Sequence, residues 1–214
     1  MDSAIIIEDL HKSFGKEEIL HGISRKFETG KIHGIIGNNG SGKTVMMKCI
    51  CGFLRPDQGH VWVGGKEIGK DIDFPDDLGI IIETPGFLPR ATGISNLKLL
   101  ASLRGIADEE RIRQTVIRVG LDPGLRKPVS KYSLGMRQRL GIAQAIMEDP
   151  SLLILDEPFN GLDKYGVAQI RSLIKELREE GKTIILASHN QTDIDELCDT
   201  VCEMDAGIMT MVRG

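Results

Sequence analysis

The apolar positions of the chain follow two patterns, one typical of strands and one typical of helices. Short runs of β-branched and other apolar residues predict strands at 4–10, 22–27, 31–36, 60–65, 78–82, 152–155 and 183–187. Between residues 95 and 147 the apolar positions instead recur at helical spacing, as at Leu97, Leu100 and Leu103. Two further helices are predicted, at 45–51 and 167–180, each ended by a glycine.

This order of elements predicts an α/β fold. The uninterrupted apolar run 152–155 is typical of a central parallel strand that is covered on both faces. Short strands joined by glycine turns predict a mixed sheet with an antiparallel N-terminal part. We therefore expect one domain over residues 1–214, with a core of 1–87 and 149–214 and an inserted α-helical subdomain at 88–148.

Composition and charge narrow the class of protein. Hydrophobic residues make up 41% and charged residues 27% of the 214 positions, the ordinary balance of a soluble globular chain. A net charge of −4 gives no general attraction to polyanions, so no nucleic-acid partner is expected. Neither a signal peptide at the start nor an apolar run near the ~20 residues of a membrane span is recognisable. We expect a cytoplasmic protein whose four cysteines are reduced.

A phosphate-binding motif lies between the third predicted strand and the first predicted helix. It matches G-x-x-x-x-G-K-S/T and consists of Gly37, Asn38, Asn39, Gly40, Ser41, Gly42, Lys43 and Thr44. Glycines let backbone N–H groups surround phosphate oxygens, and the helix N-terminus adds its positive end. Lys43 is expected to reach the β- and γ-phosphates and Thr44 to hold Mg²⁺, so the core is predicted to be that of a P-loop NTPase.

Two adjacent acids follow the apolar run 152–155. In α/β folds ligands bind at the carboxyl ends of strands, where Asp156 can hold Mg²⁺ and Glu157 can orient a water molecule. A strand that ends in acids is a weak signal by itself, but it becomes strong in a chain that also carries a phosphate-binding loop.

The segment 132–136 resembles the signature motif of a known protein family. Tyr-Ser-Leu-Gly-Met resembles the signature of the nucleotide-binding subunits of ABC transporters, usually Leu-Ser-Gly-Gly-Gln, with Ser133 and Gly135 matching and the other three positions departing. A serine and a glycine at the start of a predicted helix can meet a γ-phosphate. The resemblance covers nearly the whole chain and implies that ATP is the nucleotide.

The resemblance also assigns roles to residues outside the phosphate loop. Phe14 resembles the aromatic residue that stacks on adenine, and Asp163 belongs to a segment, 160–163, similar to the loop that communicates between subunits. His189 resembles the switch histidine that contacts the γ-phosphate. The resemblance implies that Glu157 polarises the attacking water and that His189 and Lys43 stabilise charge.

One position departs from the family pattern. Glu83 stands where the family usually has glutamine, and with the Pro-Gly-Phe that follows it resembles the branch that exports, or gives immunity to, peptide antibiotics such as lantibiotics and bacitracin. We expect Glu83 to act with the catalytic groups and to contact Mg²⁺.

The resemblance implies partners as well. ATP is expected between Lys43 of one copy and Ser133 of a second copy in a head-to-tail dimer. A separately encoded membrane permease is expected to receive the subunit on the inner face of the cell membrane. A soluble ABC ATPase, such as an iron–sulfur assembly ATPase, stays open as the main alternative, and a P-loop kinase or GTPase is disfavoured by the signature and by His189.

Overall fold

The computed structural model describes residues 2–83 and 86–214, and ten strands and six α-helices lie within them. The strands are β1 (Ser3–Phe14), β2 (Glu17–Glu28), β3 (Ile32–Ile36), β4 (Gln58–Val63), β5 (Lys66–Glu67), β6 (Leu78–Ile81), β7 (Leu152–Asp156), β8 (Thr183–Ala187), β9 (Thr200–Asp205) and β10 (Ile208–Arg213). The helices are α1 (Lys43–Ile50), α2 (Gly93–Arg104), α3 (Glu109–Arg118), α4 (Leu134–Ile146), α5 (Lys164–Glu179) and α6 (Gln191–Leu197).

The N-terminal strands form an antiparallel sheet of order β2-β1-β4-β5. Alternation along β1 buries Ile5 and Ile7, which pack with Phe27 of β2 and with α1 in one core cluster. The predicted antiparallel N-terminal part is confirmed.

The second sheet carries the nucleotide motif. Its order is β10-β9-β3-β8-β7-β6, and the five strands from β9 to β6 run parallel. Helices cover this sheet, which explains why all of β8 and the first four residues of β7 are buried. The apolar runs at 152–155 and 183–187 are therefore central strands, as predicted, and the α/β fold is confirmed.

Among the described residues, three α-helices lie between β6 and β7, in the stretch predicted to be helical. Their N-termini are capped by Thr92, Asp108 and Ser133, whose side chains accept hydrogen bonds from backbone N–H groups. Buried residues of all three helices, among them Leu97, Val116 and Leu140, share one core cluster with β7. In the described part of the chain no helix combines the length and the apolar character that a membrane crossing requires.

The sequence did not predict β9, β10 and α6. The helix α6 has only seven residues and is rich in polar side chains, and β10 is an exposed strand at the edge of its sheet, so neither carries a clear apolar period.

The four cysteines are buried free thiols, and burial raises the pKa of Cys49 to about 11 and those of Cys51 and Cys198 to about 12.

Candidate functional site

The carboxyl ends of β3 and β7 and the start of α1 meet at a cleft of about 730 Å³. Both strands pair with β8 in the parallel sheet, so their ends lie at one edge. The predicted residues that line the cleft are Phe14, Asn39, Gly40, Gly42, Lys43, Thr44, Glu83, Asp156 and Glu157. The fold thus brings together residues that are up to about 140 positions apart in the chain.

The phosphate loop depends on glycine at two positions. Gly37 has φ 139°, and a Cβ there would lie 2.1 Å from the carbonyl oxygen of Met204. Gly42 has φ 102° and would meet the side chain of Leu20 at 2.8 Å. Side chains are excluded at both positions, and the loop passes close to β9 and β2.

Polar groups inside the loop point to a ligand. The side chain of Lys43 donates to the carbonyl oxygens of Gly37 at 2.7 Å and of Asn38 at 2.9 Å. An ammonium group has three donors, so one stays available for a phosphate oxygen. Among the described residues the buried Ser41 hydroxyl has no hydrogen-bond partner.

Thr44 and Asp156 form the oxygen pair that the sequence predicted. The Thr44 hydroxyl donates to Asp156 Oδ2 at 2.8 Å. Burial raises the pKa of Asp156, and the negative charge of Glu83 raises it further. A hydroxyl and a carboxylate in a buried, acid-rich corner are the hard oxygen ligands that Mg²⁺ prefers, so these residues fit the metal.

Glu157 and His189 are in direct contact. The His189 Nδ1 atom lies 2.8 Å from Glu157 Oε2, and the Glu157 backbone has φ 51°, a left-handed conformation that is costly for a glutamate. The Glu157 N–H donates to Ala187 O at 3.0 Å, and Gln138 donates to Glu157 O at 3.2 Å. Both bonds hold the backbone of Glu157 in this strained conformation.

Glu83 lies at the rim of the cleft, paired with a base. Its carboxylate is 2.6 Å from Lys48 Nζ, and its side chain is 63% exposed. The positive charge of Lys48 offsets the negative charge of Glu83, and its ammonium group donates a hydrogen bond to Glu83 Oε1. The turn at residues 84 and 85, which formed part of the family pattern around Glu83, lies outside the described residues.

Phe14 presents an aromatic ring to the cleft. Its ring is half exposed, and Lys12 Nζ lies 5.7 Å from the ring centroid. Lys12 is held by Asp57, whose other carboxylate oxygen accepts the Ser13 N–H at 2.6 Å. These contacts fix the end of β1, so the ring is placed as a platform on which a base can stack.

Three predicted residues serve as helix caps or packing positions within the chain. Ser133 and Asp163 cap α4 and α5, accepting the N–H groups of Met136 and Gly166. A Cβ at Gly135 would lie 2.6 Å from Gly161 O, so the signature packs closely on the loop 160–163. The described residues that line the cleft include Leu134 but not Ser133, Asp163 or His189.

Sequence reasoning missed three polar residues of the site. Lys48 pairs with Glu83, Gln138 binds the backbone of Glu157, and Arg137 lines the cleft beside the signature. Arg137 and Gln138 directly follow the signature on α4, and Lys48 follows the phosphate loop on α1. Proximity to a motif along a helix was the available signal.

Comparisons with known proteins agree with this geometry. The family model described as ABC transporter matches residues 20–160. The chain is 42% identical over 209 residues to the bacitracin transport ATP-binding protein BcrA of Enterococcus faecalis, covering 97% of this chain and 68% of BcrA. It is 36% identical over 196 residues to the lantibiotic transport ATP-binding protein SrtF of Streptococcus pyogenes, covering 91% of this chain and 84% of SrtF.

A solved structure has the same fold. It is described as the ATP-binding subunit of an ABC transporter, and it superposes with a TM-score of 0.89 at 25% identity, covering 99% of this chain and 90% of the other. The P-loop core and the helices between β6 and β7 are both part of that coverage, which confirms the predicted fold class.

Proposed function

Since this chain belongs to the ABC transporter family as an ATP-binding, ATP-hydrolysing subunit, we propose that it hydrolyses Mg²⁺ATP in a head-to-tail dimer and drives export of a peptide antibiotic or a similar amphiphile. The observation that carries the proposal is the meeting of Lys43, Thr44, Asp156 and Glu157 at one cleft. A phosphate cradle and a water-activating acid are the parts that phosphoryl transfer to water requires.

The chemistry follows from these side chains. Loop N–H groups and Lys43 bind the β- and γ-phosphates, and Phe14 stacks on the adenine. Glu157, oriented by its 2.8 Å contact with His189, positions a water molecule for attack on the γ-phosphorus and takes up the proton that this water loses. The bond from the γ-phosphorus to the bridging oxygen breaks, and ADP and inorganic phosphate are the products.

Thr44 and Asp156 would hold Mg²⁺, which when bound neutralises charge on the phosphate oxygens. Glu83 is proposed to act nearby, since its charge already bears on Asp156. Lys43 lowers the pKa of Asp156, opposing the effect of burial, and Lys48 forms an ion pair with Glu83.

A second copy would complete each site. Ser133 does not line the cleft of its own chain, which supports a γ-phosphate contact made on another copy. Within the chain, the signature contacts the loop 160–163 at Gly135 and Gly161. We propose that Ser133, Gly135 and Asp163 act across the dimer interface while they also cap or pack their own helices.

The permease would bind the proposed helical subdomain, 88–148, beside the strand that leads to Glu83. On α2 the side chain of Leu103 is 77% exposed, and with Ile106 it lines a groove of about 340 Å³ next to β6. Exposed apolar side chains at a groove are typical of a protein interface. Binding here would hold the subunit on the inner face of the membrane.

The proposed class of transported compound is inferred from the names of two relatives. BcrA and SrtF are named for bacitracin and lantibiotic transport, and the two alignments cover 97% and 91% of this chain. The same relatives disfavour an iron–sulfur assembly ATPase, because they are transport ATP-binding proteins.

One purification tests transporter against soluble factor. Affinity-tagged chain is expressed in its source cells, membranes are solubilised in mild detergent, and the bound proteins are identified. We expect a membrane protein with several spanning helices to copurify with wild type and with Val212→Glu, an exposed control on β10, but not with Leu103→Glu. Copurification with soluble proteins alone would favour the soluble ATPase.

A further inference from the structure

A buried ionic cluster lies directly behind the switch histidine. Asp193 of α6 is 1% exposed, and its Oδ1 atom accepts from Arg171 of α5 twice, at 2.8 Å from Nε and 2.5 Å from Nη2. Its Oδ2 atom accepts from the Ser188 hydroxyl at 3.1 Å. A buried carboxylate is costly unless such partners compensate it, so removing one partner disturbs the others.

The cluster sets the backbone on both sides of His189. The hydroxyl of Ser188, which precedes the histidine, donates to Asp193 and accepts the N–H of Asn190, which follows it, at 3.1 Å. The His189 side chain is itself 71% exposed, so little packing restrains it. The direction of the ring therefore depends on the backbone that Ser188 holds.

The cluster also joins the switch to another part of the site. Arg171 lies two turns along α5 from its cap, Asp163. Three and two residues before that cap, Asn160 and Gly161 line the cleft. The Arg171–Asp193 pair thus fixes α5, and the loop that precedes it, relative to the loop that carries His189. Arg171 Nη1 also lies 3.0 Å from Glu196, which keeps the guanidinium on α6.

We propose that Arg171 and Asp193 are positioning residues for ATP hydrolysis: through Ser188 they hold His189 at the distance from Glu157 that the reaction requires. The inference rests on the proposed function, because it assigns a task within the same site. A small misplacement of catalytic groups can cost about 100-fold in rate, so a pair that touches no substrate can control turnover.

The chain contains a matched control on the same helix. Arg178 of α5 donates to Asp199 at 2.6 and 3.3 Å, and Asp199 accepts the Ile32 N–H at the start of β3. This pair has the same chemistry, but it lies at the opposite end of β3 from the phosphate loop. Arg178→Ala and Asp199→Asn therefore report what the loss of an α5 ion pair does to the fold alone.

The test compares steady-state hydrolysis in the two sets of variants. We expect Asp193→Asn and Arg171→Ala to lower kcat by about 10- to 100-fold while the KM for ATP stays within about twofold. Arg171→Lys should recover part of the loss, and the double variant should lose little more than either single one. Arg178→Ala and Asp199→Asn should keep kcat within about twofold of wild type, with a smaller loss of melting temperature because this pair is more exposed.

A magnetic-resonance measurement follows His189 directly. In protein with labelled histidine, the Nδ1 signal of His189 should move toward its position in Glu157→Gln when Asp193 is changed, and should stay in place in Asp199→Asn. Equal losses of kcat in the two sets, or an unmoved His189 signal in Asp193→Asn, would overturn the inference. An inactive wild type would instead contradict the proposed function, and the His189 signal would still decide the positioning role.

Discussion

At the scale of single residues, the acids of the cleft differ in what they contact. Asp156 is bonded to a hydroxyl, Glu157 to an imidazole and Glu83 to an ammonium group, within one cleft. Burial and the charge of Glu83 both raise the pKa of Asp156. Three carboxylates thus have different surroundings, and different surroundings allow different tasks in one reaction.

Glu157→Gln should separate nucleotide binding from hydrolysis. The amide has the size of the acid but accepts no proton, so Mg²⁺ATP should stay bound while kcat falls by about 100- to 10,000-fold. Size-exclusion chromatography with ATP should then show an accumulated dimer that wild type forms only transiently. Glu179→Gln, an exposed acid at the end of α5, should behave as wild type. Normal turnover by Glu157→Gln would assign the base to another residue.

Glu83→Ala should weaken transport or drug protection in cells much more than it weakens basal hydrolysis by the isolated subunit. An exposed ion pair such as Lys48–Glu83 contributes at most about 1 kcal/mol, so the melting temperature should hardly change. Glu83→Gln should be milder, because it keeps the length and one oxygen. Lys48→Ala is the control that removes the ion pair and keeps the carboxylate. Intact transport by Glu83→Ala, with normal permease assembly, would make this loop ordinary surface.

At the scale of elements, the sequence predicted the strands, helices and loops whose signal lies in adjacent residues. The run 152–155, the glycine stops after α1 and α5, and the phosphate loop each carry their signal in adjacent residues. The seven-residue α6 and the edge strand β10 carry none, because contacts elsewhere in the fold hold them: Arg213 of β10 bonds to the carbonyls of Ile194 and Cys198. Partners such as Lys48 for Glu83 lie 35 positions apart in the chain, so only the tertiary fold brings them together.

The strand β3 should make stability depend on pH through His33. This histidine is 1% exposed, its Nδ1 lies 2.7 Å from the Thr200 hydroxyl and its Nε2 2.8 Å from Glu28 O, and burial lowers its pKa below 6.5. The unfolded chain therefore takes up a proton first as the pH falls. The contribution of neutral His33 to the free energy of unfolding is fully present above about pH 6.5. It is lost as the pH falls from there to the lowered pKa of His33 in the folded state.

Melting temperatures between pH 8 and pH 5 test this, with His33→Gln as the variant. The variant should be less stable at pH 8, because it loses a buried fit, and should lose less on acidification than wild type. The difference between the two proteins is the quantity of interest, since His11 acts in the opposite direction: hydrogen bonding to Glu18 raises its pKa. A variant with the same loss on acidification as wild type would exclude His33 as the source.

At the scale of the whole molecule, one chain holds only part of the proposed site. The cleft contains the groups that we propose bind phosphate and orient water, while Ser133 caps α4 outside it. Ser133→Arg should therefore bind ATP as a monomer yet fail to dimerise or hydrolyse it. Loss of the cap should cost about 1 kcal/mol, which a melting curve can separate from misfolding.

Mixing two inactive variants gives the decisive form of this prediction. Ser133→Arg keeps an intact phosphate loop, and Lys43→Ala keeps an intact signature. Lys43→Ala alone should neither bind ATP tightly nor hydrolyse it, because it lacks the positive charge that contacts the phosphates. In a head-to-tail dimer of the two, one site combines the intact loop of the first copy with the intact Ser133 of the second. The mixture should therefore hydrolyse ATP although neither variant does alone, with activity that rises as the two are titrated together. No activity at any ratio, or loss of ATP binding by Ser133→Arg alone, would place Ser133 in the site of its own chain.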